Sequence, residues 1–171
     1  MSSYRVWYAA RDPYHCIFRM IRLLQAKDGS IPLEQLRILD MYLMYPPLLH
    51  RLTLTSGLRE KLRGLRIEPP AKSFVKLPGT ASVWQDLQLY QLTALKRLAG
   101  LGILRREDLL ERNAKLDRAQ TPANLLEHAA TQNEPEKPLL HFLVDDLGAL
   151  PLSGSEGLTR RAGLPSRGPV T

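Results

Sequence analysis

"DPYHCIFRMIRLLQ", residues 12–25, decides how the fold is read. Asp12 has the chemistry of an N-cap. Pro13 suits the first helical position, where its missing N–H has no intrahelical partner to lose. Ile17, Met20, Ile21 and Leu24 then return at three- and four-residue steps, which draws one apolar stripe along a helix. The helix is expected to run to about Ala26 and to stop at "KDGS", with Gly29 as the breaker. His15, Arg19 and Arg22 fall together on another side, as a contact face or a solvated one. Cys16 lies among the apolar residues and is expected to be a buried structural thiol.

Working outward, the pattern repeats. Ser30 and Pro32 open a second helix carrying Leu33, Leu36, Leu39 and Leu43, which Pro46 and Pro47 end. "PLLHRL" reads as a short third helix, and Gly57 and Gly64 bracket another. A long helix is expected from about Ser82 to Ala99, with Val83, Leu87, Tyr90, Leu92, Leu95 and Leu98 as its apolar positions. After it, "LKRLAGLGILRRED" has the cadence of a helix turning either into the first strand of a wing or into a helical hairpin. Thr121 and Pro122 cap the helix "PANLLEHAATQ", and "LLHFLVDDLGAL" follows "NEPEKP". Residues 4–9, "YRVWYA", alternate weakly, as a short strand or extended arm would.

Composition agrees. Of 171 residues, 44% are hydrophobic but only 6% aromatic, and leucine dominates, which favours helix over strand. The expected fold is mainly α, a compact helical protein with winged-helix-like lobes and few or no short strands. Residues 1–68 form an N-terminal helical lobe, 69–81 a linker, 82–164 a C-terminal helical lobe with a Gly-rich docking tail, and 165–171 a flexible end. No apolar run is long enough to cross a membrane and the start lacks a signal-peptide core. One cysteine excludes an internal disulfide. The expected compartment is a reducing cytoplasm.

The net charge of +7 favours acidic partners: nucleic acid, an acidic protein face or an anionic surface. The surplus is densest over 51–76, where Arg51, Arg59, Lys61, Arg63, Arg66, Lys72 and Lys76 face only Glu60 and Glu68. Arg59, Lys61, Arg63 and Arg66 are therefore the candidate DNA contacts. With Phe74 as the one aromatic there, stacking on single-stranded bases is disfavoured.

Motifs for catalysis are missing. There is no P-loop, dinucleotide fingerprint, nucleophile elbow or zincin signature. His15, His50, His128 and His141 share no metal-ligand spacing. His141 and Asp145 sit four apart on a helix and read as a structural polar pair. Asp145 and Asp146 point about 100° apart and cannot chelate together. Glu107 and Asp108 read as first-turn acidity of a helix. No enzyme activity, cofactor or metal is expected.

"DPYHCIFRMIRLL" (12–24), "LRILDMYLMYP" (36–46) and "PLSGSEGLTRRAGL" (151–164), in that order, resemble the middle component of ABC-three-component systems. Among these are the small third subunits of Lamassu-type antiviral defence, which work beside an SMC-like ATPase. Asp12, Pro13, Tyr14, His15, Phe18, Arg19, Arg37, Asp40, Tyr42 and Pro46 match the N-terminal motifs. Gly157, Leu158, Arg161, Gly163 and Leu164 match the tail motif. The resemblance implies a kleisin-like accessory subunit without catalysis. It would bind the heads and necks of the ATPase dimer and help couple DNA sensing to an effector nuclease on another chain. His15, Arg19, Arg22 and the five tail residues are the candidate partner contacts. The alternative is a stand-alone winged-helix DNA-binding regulator. Regulators usually dimerise to match symmetric half-sites, and no dimerisation helix stands out.

Overall fold

The computed structural model describes residues 11–70 and 78–165. The expected arm at 4–9, Lys72, Phe74 and Lys76 of the basic stretch, and the end beyond 165 lie outside the described residues.

The chain is mostly helical. The opening stretch forms α1, Pro13–Ala26, and the Asp12 carboxylate accepts the Tyr14 N–H as its cap. Its buried side holds Cys16, Arg19, Met20, Ile21, Leu23 and Leu24. The two-residue strand β1, Ile31–Pro32, leads into α2, Leu33–Met44. Pro32, not Ser30, is the residue before this helix, because Ile31 and Pro32 are held extended by pairing. Every residue of α2 from Gln35 to Leu43 is buried, so it is an interior helix, apolar nearly all round. Pro46 and Pro47 end it in a 3-10 turn, Pro46–Arg51. The Thr55 hydroxyl then caps α3, Ser56–Gly64, by accepting the Leu58 N–H.

The long helix α4, Thr80–Gly100, buries Val83, Trp84, Leu87, Gln91, Ala94, Leu95 and Leu98. The expected stripe is therefore rotated slightly: Gln91 occupies the core while Leu92 and Tyr90 are partly exposed. The Gln91 amide finds partners inside, described below, that make a polar residue tolerable there. Beyond Gly100 no wing forms among the described residues. Leu104 and Leu116 make a single antiparallel bridge, with α5, Arg106–Leu110, between them. Strand β2, Asn113–Ala114, turns instead to β1, pairing Ala114 with Ile31 and Asn113 with Pro32. This two-stranded antiparallel ribbon ties the start of α2 to the segment after α4.

The remainder is α6, Ala123–Asn133, and α7, Lys137–His141, running into a π-helical segment, Phe142–Leu147, and last the one-turn α8, Leu158–Arg161. Helix α1 packs against α2, α4 and α6. One hydrophobic core draws Met20, Leu39 and Tyr42 of α1 and α2 together with Trp84 and Leu98 of α4 and with Phe142.

Candidate functional site

The polar residues of α1 divide between the interior and the surface. Arg19 is 7% exposed and reaches α2, where its Nε donates to Asp40 Oδ1 at 2.7 Å and its Nη2 to Oδ2 at 3.2 Å. Asp40 has no exposed surface. It also accepts from Gln91 Nε2 of α4 at 2.9 Å and lies 3.7 Å from the Cys16 thiol. The same Gln91 Nε2 donates to the Arg37 carbonyl at 2.9 Å, and Gln91 Oε1 accepts from Arg37 Nε at 3.1 Å. The Arg37 guanidinium lies 4.2 Å from the centre of the Trp84 ring, a cation–π contact. Three helices thus share one buried network with a carboxylate at its centre.

The electrostatics follow from burial. Burial works against the Arg19 charge, but the Asp40 carboxylate more than offsets it, and the guanidinium titrates above its ordinary value. Burial, reinforced by the negative charge of Asp40, pushes the Cys16 thiol well up. Burial does the same to the Tyr42 phenol. Asp40 has no exposed surface to offer a substrate and is surrounded by Arg19, Gln91 and Cys16. A protonated, buried Cys16 is a poor nucleophile. The arrangement holds helices in register and is not set up for acid–base chemistry.

Arg22 is also used within the chain. Its Nε donates to Asn133 Oδ1 at 2.8 Å and its Nη2 pairs with Glu136, joining α1 to the end of α6. Asn133 returns bonds to the Arg22 carbonyl and to Gln25. His15 alone of the three faces solvent, beside Tyr14, which is 74% exposed. The side expected to carry three exposed polar groups therefore carries one.

The tail motif is folded onto the body. Leu158 and Leu164 are buried. Thr53 and Arg161 exchange backbone and side-chain bonds: Thr53 N–H donates to the Arg161 carbonyl, and Arg161 Nη1 donates to the Thr53 carbonyl, each at 3.0 Å. Arg161 also pairs with Glu156. Gly157 is required by space, since a Cβ there would meet the Ser153 backbone at 2.5 Å. Gly163 is required by conformation, with φ of +67°. The glycines of the motif make a tight turn that brings Arg161 to the segment preceding α3.

Helix α3 turns Leu62 inward, with Leu58 and Leu65 partly covered, and leaves Arg59, Lys61, Arg63 and Arg66 on the surface. Lys61 pairs with Asp146 at 2.6 Å and Arg59 Nη2 donates to the Leu54 carbonyl at 3.2 Å. His141 Nδ1 lies 2.7 Å from Asp145, an exposed polar pair beside a hollow of about 400 Å³ that Lys137 and Gln25 also line. His128 stacks on Phe18 at 4.9 Å. Among the described residues no group of three His, Cys, Asp or Glu side chains converges as metal ligands would.

Against these facts the comparison with protein families is decisive. The family model described as "ABC-three component (ABC-3C) system Middle Component 5" matches residues 5–167. The chain belongs to that family. As a middle component it works with other components of an ABC-three-component system. No curated protein and no solved structure matches it.

The three stretches that carry the resemblance now have physical roles in this middle component. The first two hold the halves of the Arg19–Asp40 pair, and the third holds the turn that positions Arg161. Sequence reasoning missed Gln91, Trp84, Asn133 and Glu136 as partners. The signal that pointed to one of the pairs was available: Asp40 is the lone acid in "LRILDMYLMYP", and a carboxylate in an interior helix must find a cation.

Proposed function

We propose that the chain is a non-catalytic accessory subunit, kleisin-like in its role, that docks on the SMC-like ATPase of its system. It binds the heads and necks of an ATPase dimer and helps couple DNA sensing to an effector nuclease carried by another chain. The setting is cytoplasmic antiviral or anti-plasmid defence of the Lamassu type. The family match over residues 5–167 is the observation that carries this reading. The use of buried ionisable groups supports it: Arg19, Asp40 and Cys16 are committed to one another, which suits a scaffold better than a catalyst. Within the proposal the exposed end of α1, with His15, and the tail turn at 157–164 are the contact regions. Arg19, Arg22 and Arg161 act by shaping those regions.

Co-expression with the ATPase subunit of the same system tests the reading. Size-exclusion chromatography is expected to give one peak containing both chains. Two separate peaks at micromolar concentration contradict it.

A further inference from the structure

Beyond the buried network around Asp40, the molecule offers an exposed leucine pair on α4, the hollow beside His141 and the basic surface of α3. The α3 surface carries an inference furthest. We propose that Arg59, Arg63 and Arg66 form a grip for the phosphate backbone of duplex DNA, independent of sequence. This goes beyond the accessory-subunit reading and does not depend on it.

The three arginines follow one another at steps of four and three residues along one flank of α3 and its end. A step of four residues is about 6 Å of helix rise. A duplex strand offers one phosphate for about every 3.4 Å of its axis, so each guanidinium can reach its own phosphate. All three residues are exposed. The Lys61 side chain is on the opposite flank, held by Asp146, and so is not part of the grip. Glu60 is turned about 100° around the helix from Arg59 but only about 60° from Arg63, so it is the one acid that borders the grip, where Arg59, Arg63 and Arg66 outnumber it. Over 51–70 Arg51, Arg59, Lys61, Arg63 and Arg66 outnumber Glu60 and Glu68.

A structural role explains part of this charge. Lys61 and Arg63 in the last turn complement the negative end of the helix dipole. It does not explain Arg66. This residue has φ of +53°, in the left-handed region that follows a helix end, where glycine is relaxed and a side chain is strained. Arg112 has the same conformation after α5, so it is the exposure of Arg66 beyond Arg63, and not its backbone, that brings it into the patch.

The chemistry of the patch favours phosphate over a protein face. The buried centre of a protein interface is usually more apolar than its rim and carries aromatic anchors. The large exposed apolar side chains of the described residues, Tyr14, Leu89, Leu92, Leu101 and Leu110, all lie outside α3. Residues 51–70 contain no Phe, Tyr or Trp, so single-stranded bases have nothing to stack on. A basic surface without apolar anchors or stacking rings fits the uniform charge of a duplex backbone.

The test is fluorescence anisotropy of the full chain with a labelled duplex of arbitrary sequence, titrated across salt. Three contacts predict a slope of log K against log salt near −2.7, from about −0.9 per phosphate. Arg63→Gln with Arg66→Gln is expected to flatten the slope by about 1.8 and to weaken binding about eightfold per lost contact at 0.1 M salt. Arg66→Gly separates binding from folding: its melting temperature is expected to hold or rise while its slope flattens by about 0.9. Wild-type slope in both variants overturns the proposal, as does no salt-dependent binding by the wild type. In the variants, wild-type DNA binding with loss of co-elution with the ATPase assigns the patch to a protein contact and overturns it too. In the wild-type chain, failure to co-elute with the ATPase while the predicted DNA slope is present defeats the accessory-subunit reading and leaves this one standing.

Discussion

Replacing Asp40 by alanine removes the centre of the buried network. The carboxylate accepts from Arg19 through two nitrogens, at 2.7 and 3.2 Å, and from Gln91 at 2.9 Å. Its loss leaves the Arg19 guanidinium charged in a site 7% exposed, without the one carboxylate that pairs with it among the described residues. Breaking a buried pair from one side costs about 3–5 kcal/mol, because the remaining charge keeps its desolvation penalty. Against a total stability of about 5–15 kcal/mol, that is enough to leave much of the protein unfolded at the low end of the range. Removing both charges with Arg19→Met and Asp40→Leu relieves the penalty. Gln91 keeps its bond to the Arg37 carbonyl in that variant. The double variant is expected to lie within about 2 kcal/mol of wild type, since apolar replacement of a buried pair is often neutral. Urea unfolding followed by circular dichroism gives the stabilities of wild type, single variant and double variant. An Asp40→Ala cost under about 1 kcal/mol, or a double variant less stable than the single, refutes the reasoning.

Two further predictions concern the same core and the tail. Cys16 and Tyr42 both hold their protons above their ordinary values of 9.0 and 10.0. An unfolded chain ionises at those ordinary values while the folded one does not, so their contribution is complete below pH 9 and is lost as pH rises. Stability is expected to fall by about 1.4 kcal/mol per pH unit for each group once its ordinary value is passed. Cys16→Ala should make the fall between pH 9 and 10 shallower in urea titrations, and an unaltered profile would exclude Cys16 as its source. Gly157→Ala forces a methyl into the Ser153 backbone and is expected to cost about 1–3 kcal/mol. Hydrogen exchange at the Thr53 amide, which donates to Arg161, should accelerate in that variant. An unchanged exchange rate would mean that the turn does not position Arg161.

The fold class and most helix boundaries were legible because local signals set them. Asp12 with Pro13, the Pro46–Pro47 stop and Gly64 act on neighbouring residues, and those boundaries appear where they place them. The start of α3 differs: Gly57 is the bracket expected from the sequence, and the Thr55 cap sets it instead. The pairing of β1 with β2 was not legible, since it joins residues 31–32 to 113–114 and rests on two residues a side, with no strand-like run. The same reason defeats the wing: "ILRRED" has the right cadence, but pairing partners decide between bridge and strand. On α4 periodicity placed Leu92 inside, yet Gln91 is there, because Asp40 and the Arg37 carbonyl lie opposite and satisfy its amide. The arginines of α1 were read as a face because spacing shows only which side they share. Whether that side meets water or a carboxylate depends on α2 and α6, which bring Asp40 to Arg19 and Asn133 and Glu136 to Arg22.

As proposed, this middle component acts as a bound subunit of an ATPase assembly. Native mass spectrometry of the chain purified with the ATPase subunit of its own system tests it most directly. A single assembly is expected, with a mass containing both chains in fixed ratio, and it is expected to persist at physiological salt. Spectra showing only the separate chains at concentrations well above those in a cell would contradict it.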